Sequence, residues 1–358
     1  MRLVHGWEDG FGPGATAVLD VLAAGYRRFL AARDRLYARG LLHSREVGAP
    51  VVSVGNLTVG GTGKTPAVEL AVRTLLDLGH RPAILSRGYR RRSRGIQVVA
   101  DPAGIRIEAE EAGDEPFLLA RRLPGVPVVV GADRYAAARL CAERFPVSAL
   151  VLDDGFQHRS LRKDLEIVMV RARRPWGNGR LLPGGPLREP LAALARAHLV
   201  VATGAGADAD PAEVRRAVAA HAPGVPVLAA RYVPVECWDA QHRRRQPPSV
   251  LAGARLVGFA GIAGPEGFRA TLRELGVNVA DLVVFPDHHW YRAEDLERLN
   301  ARAGAQGAVG LVTTEKDWVR LRRLPLPARP LYVVAVRLEL LDGASLWTAE
   351  FQRRCPKP

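Results

Sequence analysis

Residues 51–66 read VVSVGNLTVGGTGKTP, a β-branched apolar run followed by a glycine-rich loop that ends in Gly63-Lys64-Thr65. Glycines adopt backbone angles that larger side chains exclude, so successive N–H groups can turn inward onto phosphate oxygens. In such loops the lysine reaches the β- and γ-phosphates, and the next hydroxyl ligates Mg²⁺. The apolar run predicts a strand, and Pro66–Leu78 predicts a helix whose N-terminus adds a positive dipole end. The sequence therefore predicts a phosphate-binding loop (P-loop) and a nucleoside triphosphate as one substrate.

The predicted nucleotide contacts form one continuous run: Thr58, Val59, Gly60, Gly61, Thr62, Gly63, Lys64 and Thr65. The strict motif has glycine at position 58, where this chain has threonine. The alternative is an ordinary glycine-rich turn between a strand and a helix. The strand before the loop and the helix after it favour the phosphate loop.

The composition is that of a globular protein with excess positive charge. Its 358 residues suffice for two domains, and 48% are apolar and 25% charged. The net charge of +14 implies an anionic partner, namely nucleic acid, anionic lipid or a phosphorylated substrate. A GC-rich genome, which enriches arginine in its proteins, would explain part of this charge. The three cysteines follow no zinc spacing and are predicted to be free thiols. Residues 1–10 lack the apolar core of a secretory signal, and no apolar run is long enough to span a membrane.

Strands and helices alternate along most of the chain. Between residues 43 and 205 the alternation predicts an α/β fold with a mostly parallel sheet covered on both faces. Residues 206–250 are less regular and predict a linker, after which residues 251–330 predict a second, smaller α/β domain. Residues 331–358 form a closing segment that can return to the first domain.

The N-terminal region, residues 1–42, contains a predicted helix from residue 14 to about residue 39. Its apolar side chains recur at helical spacing: Val18, Leu19, Leu22, Tyr26, Phe29, Leu30, Leu36 and Tyr37. Most of its arginines lie off that side. A basic amphipathic helix of this kind either lies on an anionic bilayer or packs on the protein's own core, and the pattern alone does not separate these interpretations.

Charged side chains follow two further predicted strands. Asp153 and Asp154 end an apolar run, and in phosphate-loop enzymes an acid at this position holds Mg²⁺. Together with Thr65 they are the candidate metal ligands, the alternative being a plain Asp-Asp-Gly turn. Arg87 follows another strand and is a candidate phosphate contact. The arginines at residues 90–94 are either further contacts or a solvated basic loop.

Two motifs leave their role open. Asp114 has the position of a helix N-cap, and periodicity favours capping over a role as a base. His288 and His289 follow a strand, but spacing places no third ligand for zinc, so acid–base chemistry or substrate contact is the preferred interpretation.

Taken together, these motifs resemble the tetraacyldisaccharide 4′-kinase (lipid A 4′-kinase) family over nearly the whole chain. The matching segments are residues 54–66, 86–89, 113–116, 153–158, 178–183, 185–189, 285–289 and 314–317. The family also lacks glycine at the position of Thr58. Arg90 and Gly184 depart from the family pattern, at motif edges.

The resemblance implies that the protein is a lipid kinase with ATP and Mg²⁺ as cofactors. It would transfer the γ-phosphoryl group of ATP to the 4′-hydroxyl of a tetraacylated glucosamine disaccharide 1-phosphate, in lipopolysaccharide synthesis. The enzyme would be peripheral, on the anionic cytoplasmic face of the bacterial inner membrane, which favours the membrane interpretation of the N-terminal helix. No nucleic acid and no obligatory protein partner are expected.

The resemblance also assigns residues to roles. Lys64 would act on the transferring phosphate, Asp114 and His288 would form a catalytic dyad, and Arg134 and Arg188 would be basic side chains at the site. The smaller domain would swing over the nucleotide on a β-stranded linker.

Two other classes of protein remain as alternatives. A regulatory phosphate-loop GTPase would carry Asn/Thr-Lys-x-Asp after a strand, whereas residues 314–317 read TEKD, with glutamate before the lysine. A basic nucleic-acid-binding ATPase would explain the net charge, but the sequence has no motif of interleaved aromatic and basic residues.

Overall fold

The computed structural model describes Trp7, residues 13–205 and residues 209–357. The helices in these ranges are α1 Pro13–Ala38, α2 Lys64–Asp77, α3 Ala109–Ala112, α4 Asp114–Arg122, α5 Arg134–Arg144, α6 Ala212–His221, α7 Pro265–Glu274, α8 Ala293–Ala305, α9 Glu315–Leu321 and α10 Ala344–Arg354. The strands are β1 Val51–Asn56, β2 Pro82–Ser86, β3 Gln97–Asp101, β4 Gly104–Ile105, β5 Val128–Val130, β6 Ala149–Asp153, β7 Leu165–Arg171, β8 Leu199–Thr203, β9 Val227–Asp239, β10 Arg244–Gln246, β11 Arg255–Ala260, β12 Asn278–Val284, β13 Gly310–Thr314 and β14 Leu331–Leu340.

These strands form one sheet in the order β12-β11-β13-β14-β9-β8-β7-β1-β6-β2-β5-β3-β4, with β10 paired to β9. Most of the pairings are parallel, which confirms the predicted α/β class and the mostly parallel sheet. β1 lies between β6 and β7, so strands that follow it in the chain are found on both sides of it. Parallel sheets bind ligands at the carboxyl ends of the strands beside such a switch point, which here is the loop after β1.

The central strands are apolar because both of their faces are covered. Every residue of β1 and β6 is buried, as expected for parallel strands between two layers of helices. Gly55 on β1 has to be glycine, because an added Cβ would lie 2.5 Å from Cβ of Phe156. The apolar core therefore fixes the end of β1, from which the glycine-rich loop begins.

The direction of the strands reverses between β9 and β14. β9 runs parallel to β8, but β14 pairs with it antiparallel and then runs parallel to β13. We call β9 and β14 the ribbon. Its register shifts between Ala335 and Val336, beside Pro234 on β9, as expected for a β-bulge at a residue that cannot donate a hydrogen bond. A bulge bends a strand pair, so the ribbon is where the two parallel parts of the sheet can turn toward each other.

Some predicted boundaries are wrong. The helix expected from Pro66 begins at Lys64, and the helix expected from Leu191 is a 3₁₀ helix, Leu191–Arg196. Within 209–250, expected to be irregular, the structure has α6 and the thirteen residues of β9. The interpretation of residues 1–10 as lacking a secretory signal lies outside the described residues.

α1 has apolar side chains on two adjacent sides. Ala23 and Leu30 are buried, whereas Val18, Leu22 and Phe29 are exposed. The apolar side chains predicted to form one stripe are thus of two kinds: some pack on the protein and the others are exposed to solvent. Among the described residues, no helix combines the length and apolarity needed to cross a membrane.

α10, the last helix of the chain, packs against α2, which lies more than 250 residues earlier in the sequence. Phe351 and Trp347 are 0% and 2% exposed within the same apolar cluster as the buried face of α2. The indole N–H of Trp347 donates to the hydroxyl of Thr74 on α2 at 2.9 Å. α10 therefore contributes to the core that supports the helix after the glycine-rich loop.

We expect Phe351→Ala to lower the free energy of unfolding by about 3–5 kcal/mol, the usual cost of removing a fully buried ring. Leu346→Ala on the same helix is the control, because Leu346 is exposed and surface changes usually cost less than about 0.5 kcal/mol. Urea denaturation followed by circular dichroism measures both variants. Equal destabilisation by the two variants would show that α10 does not support the core through Phe351.

Candidate active site

The loop between β1 and α2, residues 57–63, is held from both sides. On one side, the N–H of Val59 donates to the carbonyl oxygen of Pro186 at 2.8 Å. On the other, the hydroxyl of Thr203 at the end of β8 donates to the carbonyl oxygen of Thr62 at 3.1 Å. Inside the loop, the side-chain amide of Asn56 donates to Thr58 O at 2.7 Å and Thr62 Oγ1 at 3.0 Å. The loop is therefore held in place by hydrogen bonds from within the protein.

Glycine is required at the end of this loop for two reasons. Gly63 has φ +82°, in the left-handed region that L side chains rarely adopt. A Cβ added there would lie 1.9 Å from the hydroxyl oxygen of Tyr232 on β9. Lys64 and Thr65 follow as the first residues of α2, so the lysine side chain starts at the N-terminus of that helix.

Asp154, after β6, is paired with two cations. Lys64 Nζ lies 3.6 Å from its Oδ1, and Arg188 Nη1 lies 2.9 Å from its Oδ2. Burial acts to raise the pKa of Asp154, but Lys64 and Arg188 outweigh it and hold the pKa below its usual range. The structure thus brings together three of the predicted site residues, with Asp154 ionised.

The pKa of Asp153 is shifted in the opposite direction to that of Asp154. Its Oδ2 accepts a hydrogen bond from the Ser86 hydroxyl at 2.9 Å, while its buried Oδ1 has no partner. Burial, then the negative charges of Glu115 and Asp154, raise the pKa of Asp153 to about 7. A buried carboxylate oxygen without a donor suits a cation such as Mg²⁺, which prefers oxygen ligands. Within 13–205 and 209–357 no group of three or more His, Cys, Asp or Glu side chains is placed to hold a metal.

Asp114 and His288 are in direct contact although 174 residues separate them. His288 Nδ1 lies 2.8 Å from Asp114 Oδ2, and both side chains are largely buried. Burial acts to raise the pKa of Asp114, but His288, Lys316 and Arg320 outweigh it and hold the pKa well below its usual range. The pair therefore contains an ionised carboxylate that is shielded from water.

The N-cap interpretation of Asp114 is wrong. Gly113 occupies the N-cap, with φ +90°, and Asp114 is the first residue of α4. Its Oδ1 accepts from the N–H of Glu115 in the first turn at 3.0 Å, and its Oδ2 faces His288. Sequence spacing placed the acid one position too early because the chain enters the helix through a glycine conformation.

The two histidines of the motif turn to different carboxylates. His289 Nε2 lies 3.0 Å from Asp295 Oδ2, and its ring stacks on Phe285 with centroids 4.7 Å apart. His288 has φ +59°, and its ring meets the edge of Tyr89 at 5.3 Å. The imidazoles are therefore not arranged as a pair of ligands for one metal.

The predicted arginines differ in their surroundings. Arg134 is buried, and its Nη1 donates to the carbonyl oxygens of Gly131 and Ala132 at 2.9 and 3.1 Å, while its Nε has no partner. Burial lowers the pKa of the Arg134 guanidinium, and the positive charge of the exposed Arg87 beside it acts in the same direction. Burial also lowers the pKa of His158, to about 4, with Arg134 contributing. The result is a cationic region beside the Asp153 carboxylate.

Three charged residues of the site were not identified from the sequence. Lys316 Nζ lies 2.8 Å from Glu115 Oε1, and Arg320 Nη1 lies 3.7 Å from Asp114 Oδ2. Both cations are on α9, whereas both acids are at the start of α4. The TEKD motif at residues 314–317 was the available signal, but spacing alone did not connect it to Asp114.

Comparisons with known proteins identify relatives of this chain. The family model described as tetraacyldisaccharide-1-P 4′-kinase matches residues 15–353. A tetraacyldisaccharide 4′-kinase from Anaeromyxobacter dehalogenans (strain 2CP-C) is 46% identical over 349 residues, covering 96% of this chain and 92% of that protein. One from Syntrophus aciditrophicus (strain SB) is 42% identical over 341 residues, covering 90% of each chain. The crystal structure of "apo" form LpxK from Aquifex aeolicus in complex with ATP has a TM-score of 0.75 and 30% identity, covering 95% of this chain and 99% of that chain.

The raised pKa of Asp153 predicts a pH dependence that Asp153→Asn removes. Well below pH 3.8, this carboxyl is protonated in both folded and unfolded chains. Between about pH 4 and 7 the unfolded chain loses the proton while the folded protein keeps it, so the group's contribution to stability is lost as pH rises. Without metal or nucleotide, Asp153→Asn should therefore gain stability relative to wild type between pH 5 and 7.5, by at most about 1.4 kcal/mol per pH unit. Urea denaturation at a series of pH values measures this difference, and a pH-independent difference would contradict the assignment.

Proposed function

The chain belongs to the tetraacyldisaccharide-1-P 4′-kinase family, and we propose that its phosphoryl transfer takes place between the β1–α2 loop and the Asp114–His288 pair. It is an ATP-binding kinase of lipid A biosynthesis. The reaction moves the γ-phosphoryl group of ATP to the 4′-hydroxyl of a tetraacylated glucosamine disaccharide 1-phosphate. The observation that carries the proposal is the hydrogen bond of His288 to Asp114 beside the lysine-bearing loop.

The groups are close enough to act on one substrate. After burial, the charge of Glu115, next to Asp114, is what most raises the pKa of Asp153. Burial acts to raise the pKa of Glu115, but Lys316 and, to a smaller extent, Lys64 lower it. Such mutual effects require that the loop lysine, the strand-end acid and the start of α4 lie within electrostatic reach of each other. This supports a single site that holds both the phosphates and the attacking hydroxyl.

In this assignment residues 58–65 hold the phosphates, as the phosphate-loop interpretation predicts. The backbone N–H groups of the glycine-rich loop bind phosphate oxygens, and Lys64 at the start of α2 stabilises the charge on the γ-phosphoryl group. Phosphoryl transfer depends mainly on positioning and on such charge stabilisation, so a loop that is already fixed favours the reaction.

Asp153 and Thr65 are the residues that would hold Mg²⁺, with Asp154 beside them. The unpartnered Oδ1 of Asp153 fits that role, whereas both oxygens of Asp154 already face cations. Mg²⁺, when bound, neutralises charge on the β- and γ-phosphate oxygens. Because it keeps several waters and uses phosphate oxygens, it needs few protein ligands.

The Asp114–His288 pair would accept the proton of the sugar hydroxyl. Asp114 is ionised, and the 2.8 Å hydrogen bond lets His288 orient it and share the proton. Because the two side chains share one hydrogen bond, the role belongs to the pair and not to one residue. Burial of both side chains excludes water that would otherwise compete for the phosphoryl group.

The arginines of the site would bind the anionic groups of the two substrates. Arg188 Nη1 is held by Asp154 beside Lys64, and exposed Arg87 lies near buried Arg134. Arginine suits this role because its planar fork matches phosphate oxygens. Residues 251–330, which carry His288, would move as a domain relative to residues 43–205, so that closure assembles the pair.

We assign α1 to the surface of an anionic membrane, at the cytoplasmic face of the inner membrane. Leu22 and Phe29 are 54% and 63% exposed on the helix side that the protein leaves uncovered. The hydroxyl of Tyr26 on the other side donates to the carbonyl oxygen of Arg188 at 2.8 Å. The helix would therefore join the bilayer, where the acyl chains reside, directly to a segment of the site.

We expect Asp114→Asn to reduce kcat by on the order of 10²-fold or more, because asparagine keeps the shape of the side chain but cannot accept the proton. The assay incubates the protein with ATP, Mg²⁺ and the lipid disaccharide 1-phosphate, and mass spectrometry detects one added phosphate. The Kd for ATP serves as the control and should change little. The melting temperature should fall, because His288 and Arg320 lose their buried counter-charge, so circular dichroism checks that the variant is folded at the assay temperature. Wild-type kcat in this variant would exclude the pair as the base, and no product from wild type would exclude the proposed reaction.

We expect Leu22→Gln/Phe29→Gln to weaken binding to anionic vesicles, since each side chain contributes roughly 1.5–3 kcal/mol when it leaves water. Vesicle flotation measures the bound fraction. Val284→Gln/Val309→Gln is the matched control, because both valines are similarly exposed in the smaller part of the chain. Point variants are better than deletion of residues 1–42, which would also uncover the core around buried Leu30. Equal flotation of the two double variants would exclude this face of α1.

A further inference from the structure

Arg122, the last residue of α4, is a point where four elements meet. Its Nη1 donates to Glu69 Oε2 on α2 at 2.7 Å and to Val336 O on β14 at 3.0 Å, and its Nε donates to Glu315 Oε2 on α9 at 2.7 Å. The side chain is only 13% exposed. A guanidinium carries five N–H donors in a planar fork, so one arginine can serve all three acceptors, which a lysine ammonium does not match.

Two of these acceptors connect the nucleotide side of the site with the ribbon. Glu69 lies one helical turn after Thr65 on α2, and its other oxygen accepts from Arg73 at 2.9 Å. Val336 lies where the register of the ribbon shifts. Arg122 thus ties the bulge, where the sheet can bend, to the helix that begins at the glycine-rich loop.

The third acceptor, Glu315, sets the position of α9 along α4. Glu315 at the start of α9 meets Arg122 at the end of α4, while Arg320 near the end of α9 approaches Asp114 at the start of α4. Lys316, the next residue of α9, pairs with Glu115. Because α9 is a short rigid helix, fixing Glu315 also fixes how close these cations lie to the Asp114 carboxylate.

A cleft of about 690 Å³ adjoins this junction and is lined by Arg122, Glu315, the end of α4 and both strands of the ribbon. Side-chain packing between α4 and the ribbon is therefore incomplete here. The hydrogen bonds of Arg122 cross this region, so they matter more for the relative position of the two elements than they would in a filled core.

We propose that Arg122 is a positioning residue for phosphoryl transfer, which by joining α2, β14 and α9 maintains the arrangement in which His288 and the α9 cations meet Asp114. The proposal rests on the proposed function. Without the guanidinium, Glu69 keeps Arg73, but Glu315 loses its ion-pair partner, keeps only the more distant charge of Arg121, and faces a second carboxylate. Repulsion between the two then favours separation of α9 from α2 and α4.

Arg122→Gln tests this proposal, with Arg121→Gln as the matched control. Arg121 is the preceding residue of the same helix, lines the same cleft and carries the same charge. We expect kcat of Arg122→Gln to fall roughly 10- to 100-fold, as for a reacting group displaced by about an ångström, with the Kd for ATP unchanged. Small-angle X-ray scattering with ATP bound should give a larger radius of gyration for Arg122→Gln than for wild type. Arg121→Gln should match wild type in both measurements.

Wild-type kcat and scattering for Arg122→Gln would overturn the proposal, and so would equal losses in the two variants. Arg122→Lys separates geometry from charge, because wild-type behaviour in that variant would show that a positive charge alone suffices. If Arg122→Gln fails to fold, Glu315→Gln replaces it, with the same effects expected in smaller size. The scattering measurement needs no lipid, so it remains decisive even if the lipid disaccharide is not the acceptor.

Discussion

The antiparallel pairing of β9 with β14 is the constraint on which the rest of the structure depends. It reverses strand direction within one sheet, so that the strands before it and those after it run in opposite senses. In a flat sheet their carboxyl ends would lie at opposite edges. The contact between Asp114 and His288 shows that the two edges nevertheless meet, which requires the strands between them to twist or bend. The bulge beside Pro234 is a feature of the ribbon that favours such a bend.

The bend divides the charges of the site between two sources. Asp154 is compensated by Lys64 and Arg188, which come from its own side of the ribbon. Asp114, in contrast, is compensated by His288 and Arg320 from the other side. The ionisation of Asp114 therefore depends on the position of residues 251–330, whereas that of Asp154 does not. This is the electrostatic reason for expecting the proposed base, and not the proposed phosphate-binding loop, to respond to the proposed domain closure.

The sequence predicts features that depend on neighbouring residues better than contacts between residues that are distant in the chain. β1 and β6 were predictable because a strand buried on both faces is a continuous apolar run, and the loop after β1 because its glycines are required locally. β9 was not predictable, because its alternation of buried and exposed residues is irregular and it contains a proline, which is unusual within a strand. The pairing of Asp114 with His288 came from family resemblance and not from spacing, and Arg122 gave no signal at all. Contacts between residues that are distant in sequence need the fold, and the site consists mainly of such contacts.

The glycine-rich loop is itself in contact with the ribbon. The hydroxyl of Tyr232 on β9 fills the space that a side chain at position 63 would need, and Thr203 at the end of β8 holds the carbonyl oxygen of Thr62. Any bending of β9 that displaces Tyr232 therefore changes the packing against the loop at Gly63, the residue before Lys64. Gly63 is thus required not only by its left-handed backbone but also by the close approach of the ribbon. The ribbon thus contacts the glycine-rich loop and also joins the part of the sheet that carries His288 to the rest, so the proposed phosphate-binding loop and the proposed base depend on the same strand pair.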